Sequence, residues 1–157
     1  MKWYTLAAEQ GNAGAQTNLG LMYAKGLGVP QDDKTAVKWY TLAAQQGNAG
    51  AQNNLGMMYA KGLGVPQDDK TAVKWYRLAA EQGNAPAQSN LGTIYDKGYG
   101  VLQDYVRAHM WFNIAASSGD KNASKYRDNV AKRMTPAQIV EALKLARECV
   151  RKKYKGC

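Results

Sequence analysis

The sequence predicts an all-α solenoid, and two observations support that prediction. Its four tryptophans lie 36 residues apart, at Trp3, Trp39, Trp75 and Trp111. Aligned on this period, residues 3–38 and 39–74 differ at only three positions. A fixed period of ~20–50 residues is typical of arrays whose units bury their apolar faces against neighbours. Each unit also contains two stretches with helical apolar spacing, and β-branched residues are too few for a β-solenoid.

The first predicted helix of a unit begins after Asn12, whose side chain is suited to cap it. Its apolar residues recur at helical spacing on one face, at Ala15, Leu19, Met22 and Tyr23. Gly26 supplies a left-handed stop. The loop GLGVPQD that follows has two glycines and a proline, so it is neither helix nor strand.

The second predicted helix is capped by Asp32 or Asp33 and ends at Gly47. Its apolar residues are small or aromatic: Ala36, Val37, Trp39, Tyr40, Ala43 and Ala44. Alanine and glycine let helices approach closely, and we expect Trp and Tyr to fill the gaps between helix pairs.

The C-terminal segment differs from the repeats. A helix near residues 120–134 is followed by TPAQ (135–138), which reads as a capping box with proline at the first helical position. The helix that it opens is expected to turn its apolar residues to one side, namely Ile139, Ala142, Leu143, Ala146 and Val150. An array needs a cap with a polar outer face, and this helix suits that role.

The predicted organisation is a single solenoid over residues 1–157. It comprises a half repeat at 1–11, repeats at 12–47, 48–83 and 84–119, and a helical cap at 120–157. Because residues 2–10 match 38–46, the sequence starts in the middle of a unit. We therefore expect a fragment of a longer array, with Trp3 exposed and self-association through the uncapped end.

These residues resemble the Sel1-like repeat family, a relative of the tetratricopeptide repeat. The pattern of that family falls in the first full unit at Ala15, Leu19, Gly20, Tyr23, Gly26, Gly28, Val29, Asp32, Ala36, Trp39, Ala43, Ala44 and Gly47. It recurs at 48–83 and 84–119 and covers about three quarters of the chain. The third unit departs from it at Leu102, where the others have Pro30 and Pro66, and at Tyr105.

The resemblance implies a right-handed superhelix of stacked antiparallel helix pairs that acts as a bacterial interaction scaffold or adaptor for a protein or peptide, without a cofactor. The fold alone does not fix a function. In the tetratricopeptide relatives the first helices line a concave groove. The corresponding partner-binding residues here are Thr17, Asn18, Leu21, Lys25, Asn53, Asn54, Met57, Lys61, Asn90, Thr93 and Lys97.

The chemistry of this face suits an extended peptide. Asparagine can donate to and accept from a peptide backbone, and lysine can neutralise a carboxylate. Leu21 and Met57 would form an apolar track beside them. In the alternative interpretation, Asn18 only stabilises the turn or neighbouring residues, and Lys25 only interacts favourably with the C-terminal end of its helix. This face of the helices is then exposed to water and binds no partner.

Catalytic and metal-binding interpretations have less support. SGDK (Ser118–Lys121) matches S-x-x-K of β-lactamases, which leaves a cell-wall or lactam hydrolase as an alternative, but S-D-N and K-T-G are missing from the sequence. The pairs Asp32-Asp33 and Asp68-Asp69 lie where helix caps belong. With His109 the single histidine, in the position of Val37 and Val73, we expect a packed side chain and no metal site.

The net charge of +9 is concentrated near the C-terminus, since residues 111–157 carry eleven basic and four acidic residues. The run LKLARECVRKKYKG leaves an anionic surface or nucleic-acid binder as a further alternative. No recognition motif appears, so nucleic acid is not expected, and no apolar run could span a membrane. Cys149 and Cys157 form no disulfide framework; we expect Cys149 to be buried and Cys157 to be open to intermolecular pairing. The compartment stays open: exported if a leader precedes this sequence, otherwise cytoplasmic.

Overall fold

The computed structural model describes the backbone of residues 2–157 and the side chains of residues 3–157. Within these residues the chain is helical and has no strand. The helices are α1 (Lys2–Glu9), α2 (Ala13–Lys25), α3 (Asp33–Gln45), α4 (Ala49–Lys61), α5 (Asp69–Ala80), α6 (Ala85–Lys97), α7 (Tyr105–Ser117), α8 (Ala123–Ala131) and α9 (Pro136–Arg151). Consecutive helices pack on each other, for example α2 on α3 and α6 on α7. The predicted all-helical solenoid fold is confirmed.

The chain divides into two compact units, one up to Trp75 and one from Tyr76 to Cys157. In the first unit, α3 and α4 share a core that includes Tyr40, Leu55 and Met58. In the second unit, the large buried side chains include Leu91 of α6 and Ile114 of α7. Each unit is thus built on the contact between a first helix and a second helix of the repeat.

The predicted helix ends are also observed. Asn12 Oδ1 accepts a hydrogen bond from the backbone N–H of Ala15, and Asp32 rather than Asp33 caps α3 by accepting from Thr35. Gly26 follows α2 with a φ of 66°, a left-handed conformation that glycine adopts without a steric penalty. Thr135 and Gln138 form the predicted capping box of α9. Leu102, in place of a proline, is exposed, and α6 and α7 still form on either side of it.

In each unit, an aromatic ring of the second helix of a repeat packs directly on a glycine of the first helix. A Cβ added to Gly20 would lie 2.7 Å from the ring carbons Cδ1 and Cε1 of Tyr40. In the second unit, a Cβ added to Gly92 would lie 2.6 Å from Cδ1 of Phe112. Real Cβ contacts are not that short, so the missing side chain is what lets α2 approach α3 and α6 approach α7.

The tryptophans have a different role from these rings. Trp39 of α3 packs against Ala8, Ala15 and Leu19, which belong to α1 and α2. Trp75 packs in the same way against the core of α3 and α4. Each of these indoles therefore contacts the preceding helix pair. Trp111 is fully buried, whereas Trp3 is 83% exposed, as expected for it.

A buried glutamine, which the sequence did not single out, links consecutive repeats. The side-chain amides of Gln16, Gln52 and Gln88 donate to the backbone carbonyls of Ala8, Ala44 and Ala80, at distances of 3.0, 3.1 and 3.2 Å. Each of these carbonyls lies at the C-terminal end of the preceding second helix and also accepts from the backbone N–H of a glycine three residues later. The glutamine thereby holds the turn between repeats.

Helix α9 packs against α7, and its buried residues differ in part from the prediction. Ala142, Ala146 and Cys149 are buried, but Leu143 and Val150 are 37% and 47% exposed. The prediction was wrong for Leu143 and Val150, because α9 makes its closest approach to α7 through its smallest side chains. Ile139 is half-buried.

The contact with α9 changes the exposure of one repeat position. Leu42 and Leu78, on the outer side of α3 and α5, are each 46% exposed. Ile114 occupies the same position in α7 and is only 1% exposed, and it lines a crevice with Ala146 and Val150 of α9. Met110, where the other repeats have Lys38 and Lys74, is also buried. The last repeat thus has apolar residues at positions that are exposed in the earlier repeats, because α9 covers this side of α7.

The two cysteines form a disulfide, which corrects the expectation of an unpaired Cys157. Cys149 and Cys157 have Cα atoms 5.6 Å apart. The pairing was missed because it depends on the reversal of the chain after α9, where Lys153 and Tyr154 adopt left-handed conformations with φ of 53° and 65°. The ring of Tyr154 reaches the turn between α5 and α6, with Cε2 3.3 Å from where a Cβ on Gly83 would lie. The expectation that Cys149 is buried is confirmed.

We predict that Gly92→Ala lowers the free energy of unfolding by about 1–3 kcal/mol, because the new methyl group collides with the ring of Phe112. Chemical denaturation monitored by circular dichroism measures the change. The matched control is Gly50→Ala, where the nearest contacts of a Cβ are 3.4 Å and 4.0 Å away. We expect that control to be neutral or slightly stabilising, since alanine is the better helix former. Equal effects of the two substitutions would contradict the ring-on-glycine contact.

We predict that air-oxidised protein contains no free thiol and runs as a monomer on a non-reducing gel, because Cys149 and Cys157 pair within one chain. Thiol titration with and without a reductant measures the pairing. Cys157→Ser should leave α9 folded and accelerate hydrogen exchange only in residues 153–157. A disulfide-linked dimer as the main oxidised species would contradict this pairing.

Candidate functional site

The eleven predicted partner-binding residues lie on the three first helices α2, α4 and α6. Eight are in the first unit and three in the second. The exposed ones are Asn18, Lys25, Lys61, Thr93 and Lys97. The half-buried ones are Thr17, Leu21, Asn53, Asn54, Met57 and Asn90. No predicted site residue is buried in the core, so all of them retain surface that a partner could contact.

In the first unit, α2 and α4 approach each other at Thr17 and Gly50. The methyl carbon Cγ2 of Thr17 lies 4.0 Å from where a Cβ on Gly50 would be, which is ordinary van der Waals contact. Leu21 on α2 and Met57 on α4 occupy equivalent positions of successive repeats, and both are half-buried. We call Leu21 and Met57 the apolar track. Lys25 and Lys61 follow them one helical turn later and are exposed.

Some polar groups of this face already have intramolecular partners. The hydroxyl of Thr17 donates to the carbonyl of Ala13 at 2.7 Å. The side chain of Asn54 makes a hydrogen bond with the hydroxyl of Tyr40. Burial raises the pKa of Tyr40 to about 12, and the bond with Asn54 opposes that rise. Because Asn54 also has this intramolecular contact, Met57 is the cleaner residue for testing partner binding.

The second unit places Thr93 and Lys97 beside a cavity that the sequence did not predict. Its volume is ≈ 400 Å³.

 The value of ≈ 400 Å³ lies at the lower end of the range of ~300–1,000 Å³ for ligand pockets. The cavity lies between α6 and α8, and its lining is completed by Asp96, Phe112, Tyr126, Asn129, Val130 and Arg133.

An ion-pair group with a buried carboxylate borders this cavity. Asp96 is 7% exposed; its carboxylate accepts a hydrogen bond from the guanidinium of Arg133, and the ammonium of Lys97 lies 3.2 Å from it. The guanidinium also lies 4.7 Å from the ring centroid of Tyr105. Asp96 and Tyr105 are residues in which the third repeat departs from the other two. These two departures from the repeat pattern are the only sequence signal of the interaction. It could not be located from them, because Arg133, the residue that contacts both Asp96 and Tyr105, lies outside the repeats.

The residues that the sequence offered for catalysis or metal binding lie at helix ends. Ser118 directly follows α7, at the C-terminal end of a helix. Asp32 and Asp68 each accept hydrogen bonds from a threonine three residues later, which lowers the pKa of both carboxyls. Among the residues that the structure describes, no group of three or more histidine, cysteine, aspartate or glutamate side chains could hold a metal ion.

His109 is packed as expected, with 3% of its surface exposed. Its Nδ1 atom has no hydrogen-bond partner in the described part of the chain. Burial lowers the pKa of the imidazole below its usual value of 6.5; the positive charge of Arg127 lowers it further, and Asp128 opposes both. The imidazole is therefore neutral at pH 7.

The basic residues of the C-terminal segment are spread over an exposed surface. Lys144, Arg147, Arg151 and Lys152 are all exposed on or directly after α9. In the described residues, no helix is both long and apolar enough to cross a membrane.

Comparison with known proteins identifies the family. The Sel1 repeat matches residues 1–12, 13–48, 49–84 and 85–120. The chain belongs to the Sel1 repeat family. The resemblance found in the sequence is thereby confirmed. Sel1-like repeat folds generally act as protein–protein interaction scaffolds and are typically non-catalytic.

Two solved structures show the same fold. One is c5321, described as a protective antigen present in uropathogenic Escherichia coli strains and displaying a Sel1-like repeat fold; it is 39% identical, with a TM-score of 0.91 over 98% of this chain. This chain spans 34% of the length of c5321. The other is a Sel1 repeat protein from Oxalobacter formigenes, 39% identical, with a TM-score of 0.71; the match covers 80% of this chain and 95% of that one. No curated protein matches the chain.

We predict that the free energy of unfolding falls as the pH drops through 6.5. Because the folded state lowers the pKa of His109, the unfolded chain binds the proton more readily in this range, and the slope is at most ~1.4 kcal/mol per pH unit. Above this range the contribution is constant. Denaturation series between pH 7.5 and pH 5.5 measure it.

The matched variant is His109→Val, which places the residue of the first two repeats, Val37 and Val73, in the third. It should flatten the pH dependence in this interval. An unchanged slope in His109→Val would show that another group titrates there.

Proposed function

We propose that this Sel1 repeat protein is a non-catalytic scaffold that binds a peptide or protein partner on the surface of its first helices. The single observation that supports this most is the apolar track. Leu21 and Met57 remain half-buried on the surface, at equivalent positions of successive repeats, with exposed lysines one turn further along. An extended partner could bury the apolar side chains and place acidic groups against Lys25 and Lys61.

Repetition gives such a surface its reach. Each of the first two full repeats adds one apolar position and one ammonium group, so a partner that spans both repeats gains contacts from each. A partner with apolar and acidic side chains matches these apolar positions and ammonium groups better than a partner without acidic side chains. The general role of the family as a scaffold is consistent with this use.

The position of Ser118 supports the non-catalytic part of the proposal. The S-x-x-K chemistry needs the serine at the start of a helix, where backbone N–H groups and the helix dipole stabilise negative charge. Ser118 instead follows the C-terminal end of α7. The carbonyl groups there would destabilise an oxyanion.

We predict that Met57→Glu weakens partner binding at least ~10-fold, equivalent to ~1.4 kcal/mol, because it places a charge in the apolar track. Affinity capture from the source cell, followed by titration of the captured partner, measures the loss. The matched control is Leu42→Glu, which changes an exposed leucine on the second helix α3 and should leave binding intact.

A photo-crosslinking residue in place of Lys61 on α4 should also capture the partner, whereas one in place of Lys38 on α3 should not; both lysines are exposed. Circular dichroism verifies that each variant is folded. Full binding by Met57→Glu together with loss in Leu42→Glu would overturn the assignment and place the partner on the second helices.

A further inference from the structure

The cavity between α6 and α8 differs from the rest of the first-helix surface in having both an apolar wall and fixed charges. The rings of Phe112 and Tyr126 stand with centroids 5.5 Å apart and an interplanar angle of 47°. Val130 continues this wall, and Thr93 and Asn129 add polar groups. Phe112 and Val130 are 2% and 1% exposed, whereas Tyr126 is 45% exposed, so the ring of Tyr126 supplies most of the wall surface that is open to a ligand. A wall of this kind favours an aromatic or large apolar side chain.

The border of the cavity carries one carboxylate and two cations. Asp96 is buried and shared by Lys97 and Arg133, whose side chains are 51% and 41% exposed. The group therefore has an excess of one positive charge. A carboxylate that approached from solvent would meet an ammonium and a guanidinium that Asp96 already holds in place, which reduces the entropy lost on binding.

The other repeats lack this arrangement. Lys25 and Lys61 are the counterparts of Lys97, but the residues before them are Ala24 and Ala60 in place of Asp96. Arg133 has no counterpart in the first two repeats, because it follows α8. The anchored pair of cations is a property of the last repeat and the segment after it.

We propose that this cavity is a subsite for an aromatic–acidic motif in a peptide. The aromatic side chain contacts mainly the exposed ring of Tyr126, while the carboxylate of the neighbouring acidic residue binds Lys97 and Arg133. The inference deepens the proposed function and rests on it for the polypeptide nature of the ligand. The cavity volume of ≈ 400 Å³ suits one side chain and its neighbour.

The test uses the full chain and the capped hexapeptide Gly-Ser-Phe-Glu-Ser-Gly. Two matched peptides replace either the phenylalanine by alanine or the glutamate by glutamine. Titration monitored by ¹H–¹⁵N correlation spectra should shift the backbone signals of Thr93, Lys97 and Val130. We expect the first peptide to bind with a Kd near ~1 mM or below and each matched peptide to bind at least ~5-fold more weakly, since both contacts contribute.

The protein variant for this test is Lys97→Gln, because Lys97 is exposed and its loss leaves Arg133 to pair with Asp96. It should weaken the glutamate peptide ~3–10-fold, as expected for loss of one charge-assisted contact, and leave the glutamine peptide unchanged. The control is Lys61→Gln, the same change in the preceding repeat, which should alter neither peptide. Equal effects of the two variants, equal binding of all three peptides, or no shift at these residues would overturn the subsite.

Free 3-phenylpropionate distinguishes a peptide from a small aromatic acid. It should bind more weakly than the hexapeptide, and equal or tighter binding would overturn the peptide assignment. The test is separate from that of the proposed function, which depends on Met57 in the first unit. Loss of the partner in Met57→Glu without hexapeptide binding would refute the subsite alone. Hexapeptide binding with an unaffected partner in Met57→Glu would refute the track alone.

Discussion

The close approach of the two helices of a repeat depends on one contact, an aromatic ring lying on a glycine. Tyr40 rests on Gly20 in the first unit, and Phe112 rests on Gly92 in the second. With the ring in this place, the alanines of both helices come near enough to form the core, and large aliphatic side chains are needed only at a few positions. The high content of glycine, alanine and aromatic residues follows from this geometry.

The last repeat shows how the same helix pair is adapted when further helices cover it. Positions that carry lysine and half-exposed leucine in the earlier repeats hold Met110 and Ile114 in α7, and both are buried. On the other side, Asp96 replaces alanine and pairs with Arg133. Substitutions that look like drift in an alignment of the repeats are therefore matched to neighbours outside the repeated part.

The candidate site was only partly accessible to sequence reasoning. Helical spacing predicted which positions share a face, and the variable positions led to Leu21 and Met57. The same reasoning could not show that Asn54 is engaged by Tyr40, because that contact joins helices of different repeats. It also could not find the cavity in the second unit, since Tyr126 and Arg133 come from a segment without a repeat pattern.

The sequence by itself determined the repeat period, the helices, their caps and the family, because these depend on local spacing and on residue types that act within one turn. The tertiary structure decided which apolar face of α9 is buried, the pairing of Cys149 with Cys157 and the ion pair of Asp96. These features depend on where distant segments meet. The physical reason is that packing selects among faces that are equally apolar in the sequence, and here the smallest side chains, Ala142 and Ala146, allowed the closest contact.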